Sequence, residues 1–248
     1  MGIPSQIIVN ADDIGLKTSV NQAILYCYEQ GYINSTSLLT NMDGFDEAID
    51  LIHNNPVIKN IGVHVNFSEG RPLTDFSKSQ FLDDDGYWDP GKTGKLIQFL
   101  NHDGKALFLK EINAQIDRAI SSALDIVHLD SHLHLHTLPA FYKLFIEVAR
   151  QRKLKLRLAQ TYNENSYLKF YYRKYINREI KAAGINYTAL FETVDEFLNN
   201  KGTSQIDKAV EIMVHPDFDG QGKLFDHVDT TAINNWISYL GETVKIAG

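Results

Sequence analysis

Seven short apolar runs separated by stretches of helical spacing set the tightest limit on what this chain can fold into. Residues 6–10, 33–40, 58–67, 125–131, 154–159, 187–191 and 209–214 read as strands. Residues 18–30, 45–53, 106–124, 141–152, 167–183 and 230–244 read as helices. In 106–124, for example, Leu109, Ile112, Ile116 and Ile120 recur at intervals of three and four. Strands that alternate with helices pair as parallel neighbours, because each helix carries the chain back across the sheet. The expectation is an α/β fold of about seven parallel strands, open or closed into a barrel. At 248 residues the chain has the length that such a barrel fills as one domain, 1–248.

The pattern breaks between 68 and 104. Pro72 and Pro90 interrupt it, and Asp83-Asp84-Asp85-Gly86 is a turn signal. This stretch reads as a loop insertion with a short helix over 94–100. Phe81, Tyr87 and Trp88 within it could form an exposed aromatic surface for a ligand, or could anchor the loop. A net charge of −7 disfavours nucleic acid and anionic membranes as partners, since a phosphate backbone would be repelled. No apolar run approaches the roughly 20 residues that span a bilayer. Cys27 is the only cysteine, which excludes a disulfide framework and reads as a buried thiol on the first helix. With no basic-then-apolar leader pattern, a reducing, cytoplasmic location is expected. The helix over 167–183, rich in tyrosine and basic residues, suits either a homodimer interface or a half-buried surface.

Four of the nine histidines lie in His128-Leu129-Asp130-Ser131-His132-Leu133-His134-Leu135-His136. In an extended strand, alternate side chains share a face, so His128, Asp130, His132, His134 and His136 would all point one way and the leucines into a core. An imidazole-rich face suits a metal or proton-transfer site. Other polar groups fall at the ends of other strands: Asp12 and Asp13 after the first, His64 in the third, His215 after the last. Parallel α/β folds build active sites at that carboxyl edge. Adjacent carboxylates can divide the work, one as a hard metal ligand and one as a base, although Asp in this place also serves as a helix N-cap. His64 in an apolar strand could equally be a satisfied core histidine. Two or three imidazoles and a carboxylate make the usual ligand set of a catalytic divalent site. Asp12 then remains as a candidate base and His215 as a candidate acid, enough for metal-assisted hydrolysis.

These residues resemble the motifs of the YdjC-like carbohydrate deacetylases, which include chitooligosaccharide deacetylases. Ile8-Val9-Asn10-Ala11-Asp12-Asp13-Ile14-Gly15 is similar to their NADDFG opening. Gly62-Val63-His64-Val65-Asn66, through Glu69-Gly70-Arg71-Pro72-Leu73, resembles their GxHxN…GxPL block. The histidine run matches HLDSHxHxH, and Met213-Val214-His215-Pro216-Asp217 resembles the late HPG motif with aspartate in place of glycine. The resemblance implies a distorted (β/α) barrel related to polysaccharide deacetylases and one divalent metal ion, held by Asp13, His64 and His132. It implies Asp12 as base and His215 as acid. Asp130, His134, His136, Asn66, Arg71 and Trp88 would support the site or face a small carbohydrate substrate. The residues alone leave His132 and His134 equivalent; the resemblance separates them. Two imidazoles and a carboxylate suit zinc, whereas an oxygen- and water-rich site suits magnesium.

The implied reaction removes the N-acetyl group of an amino sugar. Two other readings fit parts of the pattern: a metal-dependent phosphoesterase, and a non-catalytic sugar-binding protein on the same scaffold. The acidic balance and the lack of a Gly-rich phosphate loop weigh against the first. The pairing of Asp12 with His215 weighs against the second, since a binder needs no acid and base.

Overall fold

The computed structural model describes residues 2–77, 79–164, 166–200 and 208–247. Its main sheet has seven parallel strands: β1 (Ile7–Ile14), β2 (Ser35–Leu38), β3 (Ile61–Val65), β4 (Ile126–Ser131), β5 (Lys155–Leu156), β6 (Leu190–Thr193) and β7 (Val210–Val214). The strand order is β5-β4-β3-β2-β1-β7-β6, so sequential strands are neighbours everywhere except at the β5/β6 seam. The sheet curls into a half-barrel, and the seam is bridged by the loops beside it. Leu156 N–H donates to Ile185 O at 2.6 Å, Tyr187 N–H to Leu156 O at 3.2 Å, and Thr161 N–H to Phe191 O at 3.0 Å. The seven parallel strands expected from the strand and helix pattern are present, and they form the distorted α/β barrel that the family resemblance implies.

Helices α1 (Thr18–Glu29), α2 (Phe45–Asn54), α3 (Pro90–Thr93), α4 (His102–Ser121), α5 (Tyr142–Arg152), α6 (Tyr167–Ala182), α7 (Val194–Asn199) and α8 (Ala232–Ala247) flank the sheet. Several starts are fixed by side-chain caps that satisfy free N–H groups: Asn101 accepts from Gly104, Ser166 from Lys169, and Thr193 from Glu196. Outward-facing strand residues such as Val9, Ala11, Val63 and Leu129 pack under the helices in one buried apolar cluster reaching Leu240. Cys27 is buried within it, and burial pushes its thiol up to about 12.

The opposite face of the strands is polar. Asn10, Asp12, Ser35, Ser37, His64, His128, Asp130 and Glu211 are all buried there, and the register pairs Asn10 with Ser35 and His64 with Asp130. Gly62 is required in this layer: a Cβ on it would sit 2.2 Å from His128 Nε2.

The insertion differs from its expected form. No helix occupies 94–100; α3 ends at Thr93 and the chain is irregular until Asn101 caps α4. Trp88 is 3% exposed and packs against Phe67, Phe76 and Phe108 with centroids 5.3, 4.7 and 5.9 Å away. Phe81 is buried in the same cluster. The aromatic residues of the insertion thus anchor it to the barrel, and Trp88 offers no surface to a sugar. Only Tyr87 of the three is exposed, stacked under the Arg71 guanidinium at 4.3 Å. Two further elements carry no strong pattern in the sequence: α7, and an antiparallel hairpin of β8 (Pro216–Phe218) and β9 (Leu224–Asp226).

Candidate active site at the carboxyl edge of the barrel

Adjacent residues of a regular strand face opposite ways, yet Asp12 and Asp13 both reach one site. The cause is local. The β1/β2 register slips between Ala11 and Ile14, and Asp13 adopts φ 75°. This bulge with a left-handed residue re-aims the second carboxylate to the side of the first.

Asp13 stands at the centre of the cluster. Its Oδ1 is 2.8 Å from His132 Nδ1 and 3.3 Å from His64 Nε2; its Oδ2 is 3.2 Å from His227 Nε2. His64 is oriented from behind by Asp130 Oδ1, 2.8 Å from its Nδ1. Burial alone would pull the His132 imidazole down, but Asp13 and Glu69 on its two sides hold it up, to about 10. Donor atoms of Asp13, His64 and His132 lie within 4.8 Å of one another. Two imidazoles and a carboxylate converge where the local field favours positive charge, so a divalent cation fits. Asp12, His64 and Asp130 form a second such grouping. It is already filled by the Arg157 guanidinium, which donates from Nη2 to Asp130 Oδ2 at 2.8 Å and bonds Asp12 as well.

Arg157 is the main residue that motif reading missed. It is fully buried and makes a two-pronged pair with Asp12, Nη1 to Oδ2 and Nη2 to Oδ1, both at 2.7 Å. Its Nε donates to Glu211 Oε1 at 2.6 Å. Burial works against the charge on Asp12, but Arg157 and His64 overcome it and lower the carboxyl. Glu211 is pushed the other way, to about 7, because burial outweighs its share of the same guanidinium. The signal for Arg157 was the alternation Leu154-Lys155-Leu156-Arg157-Leu158, which puts the arginine on the strand face opposite the leucines, the face that lines the barrel interior.

His215 lies across from Asp12, Nε2 to Oδ2 at 3.8 Å, and is backed by Asp226, whose Oδ1 is 3.5 Å from Nδ1. Burial disfavours the imidazolium, yet Asp226 and Asp12 raise its pKa. The hairpin brings Asp226 into register with Pro216, next to His215. Neither Asp226 nor His227 stood out in the sequence; the signal was the turn at Asp219-Gly220-Gln221-Gly222, which folds them back. Asp217, where the motif has glycine, is buried and paired with Lys17 at 2.8 Å.

The single-faced histidine strand is corrected. β4 stops at Ser131, and His132–Thr137 is a tight helical turn with Leu133 and His134 left-handed at φ 52° and 54°. Leu133 is consequently 59% exposed rather than in the core. His128 stacks on Tyr187 inside the barrel with Ser37 Oγ at 3.1 Å, and His136 is buried on Ser131 Oγ at 2.8 Å. Neither faces a substrate. His134 is half-buried against Phe191, and burial lowers its imidazole. Asn66 is not free to bind a ligand either. Its amide holds the Ser68–Glu69 turn through both N–H groups of that turn and Glu69 O. Arg71 is exposed on the insertion beside Tyr87.

Comparison with known proteins bears on the family and the fold. The chain is 34% identical over 157 residues to a carbohydrate deacetylase of Vibrio parahaemolyticus serotype O3:K6, a match covering 61% of this chain and 58% of that protein. It is 30% identical over 152 residues to a carbohydrate deacetylase of Brevibacillus brevis, with the same coverage. The matched region therefore spans 58% of the length of these relatives. A solved structure from Enterococcus faecalis V583, described as a candidate cellobiose-phosphate cleavage protein, superposes with a TM-score of 0.69 at 21% identity, covering 87% of this chain and 82% of that one. It supports the fold. The family model described as YdjC-like protein matches residues 6–238. Since that match takes in nearly the whole chain, the protein belongs to the YdjC-like family.

Proposed function

We propose that this chain is a metal-dependent hydrolase that removes the N-acetyl group of a small acetylated amino sugar or chitooligosaccharide, releasing acetate and a free amine. The observation that carries the reading is the placement of Asp12 Oδ2, 3.9 Å from His64 Nε2 and 3.8 Å from His215 Nε2. A proton acceptor and a proton donor thus flank the Asp13, His64 and His132 grouping. The carbohydrate deacetylases among its relatives support the substrate class.

When bound by Asp13, His64 and His132, zinc or magnesium would polarise the acetyl carbonyl and lower the pKa of water. The chain's own groups do the rest. Asp12, kept ionised by Arg157, accepts a proton from the attacking water. His215, kept protonated by Asp226, donates from Nε2 to the departing nitrogen. Asp130 holds the His64 ring in one orientation, and Arg157 ties Asp130 and Asp12 into one rigid unit. Among the described residues no helix is long and apolar enough to cross a membrane, and the lone buried thiol suits a reducing cytoplasm.

The test is incubation of zinc- or magnesium-loaded protein with diacetylchitobiose and with p-nitrophenyl phosphate, beside a chelated control. Acetate release that the chelator abolishes is the expected result. Phosphate release without acetate would make the protein a phosphoesterase, and neither product would leave it a binder.

A further inference from the structure

Each donor of the Asp13, His64 and His132 grouping has one polar atom turned away from the others, and these outward atoms meet partners. His64 Nδ1 meets Asp130 Oδ1 at 2.8 Å. His132 Nε2 faces Glu69 Oε1 at 3.6 Å, an ion-pair distance. Asp13, with Oδ1 directed inward at both histidines, presents Oδ2 to His227 Nε2 at 3.2 Å. A carboxylate that ligates through one oxygen is free to rotate or to chelate unless its other oxygen is engaged, and such outer hydrogen bonds set ligand orientation and basicity.

We propose that His227 is a positioning residue of the metal site, donating a hydrogen bond from Nε2 to the free oxygen of Asp13. The inference rests on the reading that Asp13 is a metal ligand. Three observations carry it. His227 Nδ1 is buried without a partner, so the ring's functional contact is at Nε2. The residue is held in place: its N–H donates to His215 O at 3.0 Å, and its ring meets the His215 ring edge-on at 5.5 Å. It meets Asp13 at Oδ2, whereas His64 and His132 converge on Oδ1, which puts it behind the ligand and not among the converging donors. His215 and His227 thus divide two roles on one hairpin: His215, backed by Asp226, faces Asp12, while His227, with no carboxylate behind it, faces Asp13.

The test measures zinc affinity directly, by competition with a chromophoric chelator, on wild type, His227→Ala, His227→Phe, His227→Gln and the remote His53→Ala. Circular dichroism and a metal-free melt identify the folded variants. His227→Ala and His227→Phe should bind zinc about 10- to 100-fold more weakly. His227→Gln, whose amide can still donate, should recover most of the loss, and His53→Ala should match wild type. With cobalt in place of zinc, the visible spectrum of His227→Gln should keep the wild-type coordination. Wild-type affinity in either folded donor-free variant overturns the inference while leaving the metal site intact. Absence of zinc binding by wild type overturns the metal site and the inference together.

Discussion

At Asp12 one guanidinium and two imidazoles surround a single buried carboxylate, and its chemistry depends on keeping its charge. Asp12→Asn should cut acetate release by about 10² to 10⁴, the usual worth of a positioned proton acceptor, with zinc still bound. Near-normal turnover in a folded, metal-loaded Asp12→Asn would remove Asp12 from that role. Glu211 gives a different readout. Its ordinary value of 4.5 rises to about 7 in the fold, so between these values the folded chain holds a proton that the unfolded chain has lost. That contribution to stability is full below about 4.5 and lost as pH climbs through about 7. Glu211→Gln keeps an acceptor for Arg157 Nε and cannot titrate. Its stability relative to wild type should therefore improve from pH 5 to pH 8 in paired urea melts; a constant difference would contradict the shift. Asp12, Asp13, His64 and His215 stood out as polar groups in or at the ends of apolar strands, whereas His132 was separated from His134 only by the family resemblance. Arg157 and His227 did not stand out, since the contacts that define them span long sequence separations, and Asp226 did not because a hairpin with no strong pattern folds it back onto His215.

Among the elements, strands and long helices were readable from periodicity, and their ends were less so. β4 shows why: the alternation of histidine and leucine continues through His136, but left-handed Leu133 and His134 turn the chain after Ser131. No residue type in that run announces such a turn, because glycine and asparagine are absent from it. The insertion was read as irregular, and its attachment followed from tertiary packing that no local pattern encodes. Trp88 is the test of that attachment. Trp88→Ala removes a ring packed on Phe67, Phe76 and Phe108 and should cost about 3–5 kcal/mol. Denaturant melts would show it; a loss below about 1 kcal/mol would mean that the insertion is held by other contacts.

For the molecule as a whole, the parallel order was legible because βα alternation permits little else, while closure was open. It follows from the bonds across the β5/β6 seam, where Ile185, Tyr187 and Thr161, outside the strands, bond to Leu156 of β5 and Phe191 of β6. The polar interior makes the fold responsive to a bound cation. Asp12, Asp130 and Glu211 share the buried Arg157, while Asp13 has only histidines beside it, so a divalent ion at Asp13 would add positive charge to this group of carboxylates. Zinc at a hundredfold over its Kd should add about 2.7 kcal/mol to the folded state. For a chain of this size that is roughly 5–10 °C in melting temperature, reversed by a chelator. A melt insensitive to both would argue against a tight site.

Cys27 has a practical consequence. The chain's single thiol is sealed on the buried face of α1 and pushed up to about 12, so the native protein should be silent to maleimides and to Ellman's reagent until it unfolds. A cysteine placed on an exposed position such as Tyr171 would then be the only reactive one in the native molecule. A single dye could be attached there without first removing the natural thiol, and the natural thiol would remain an internal clock for global opening.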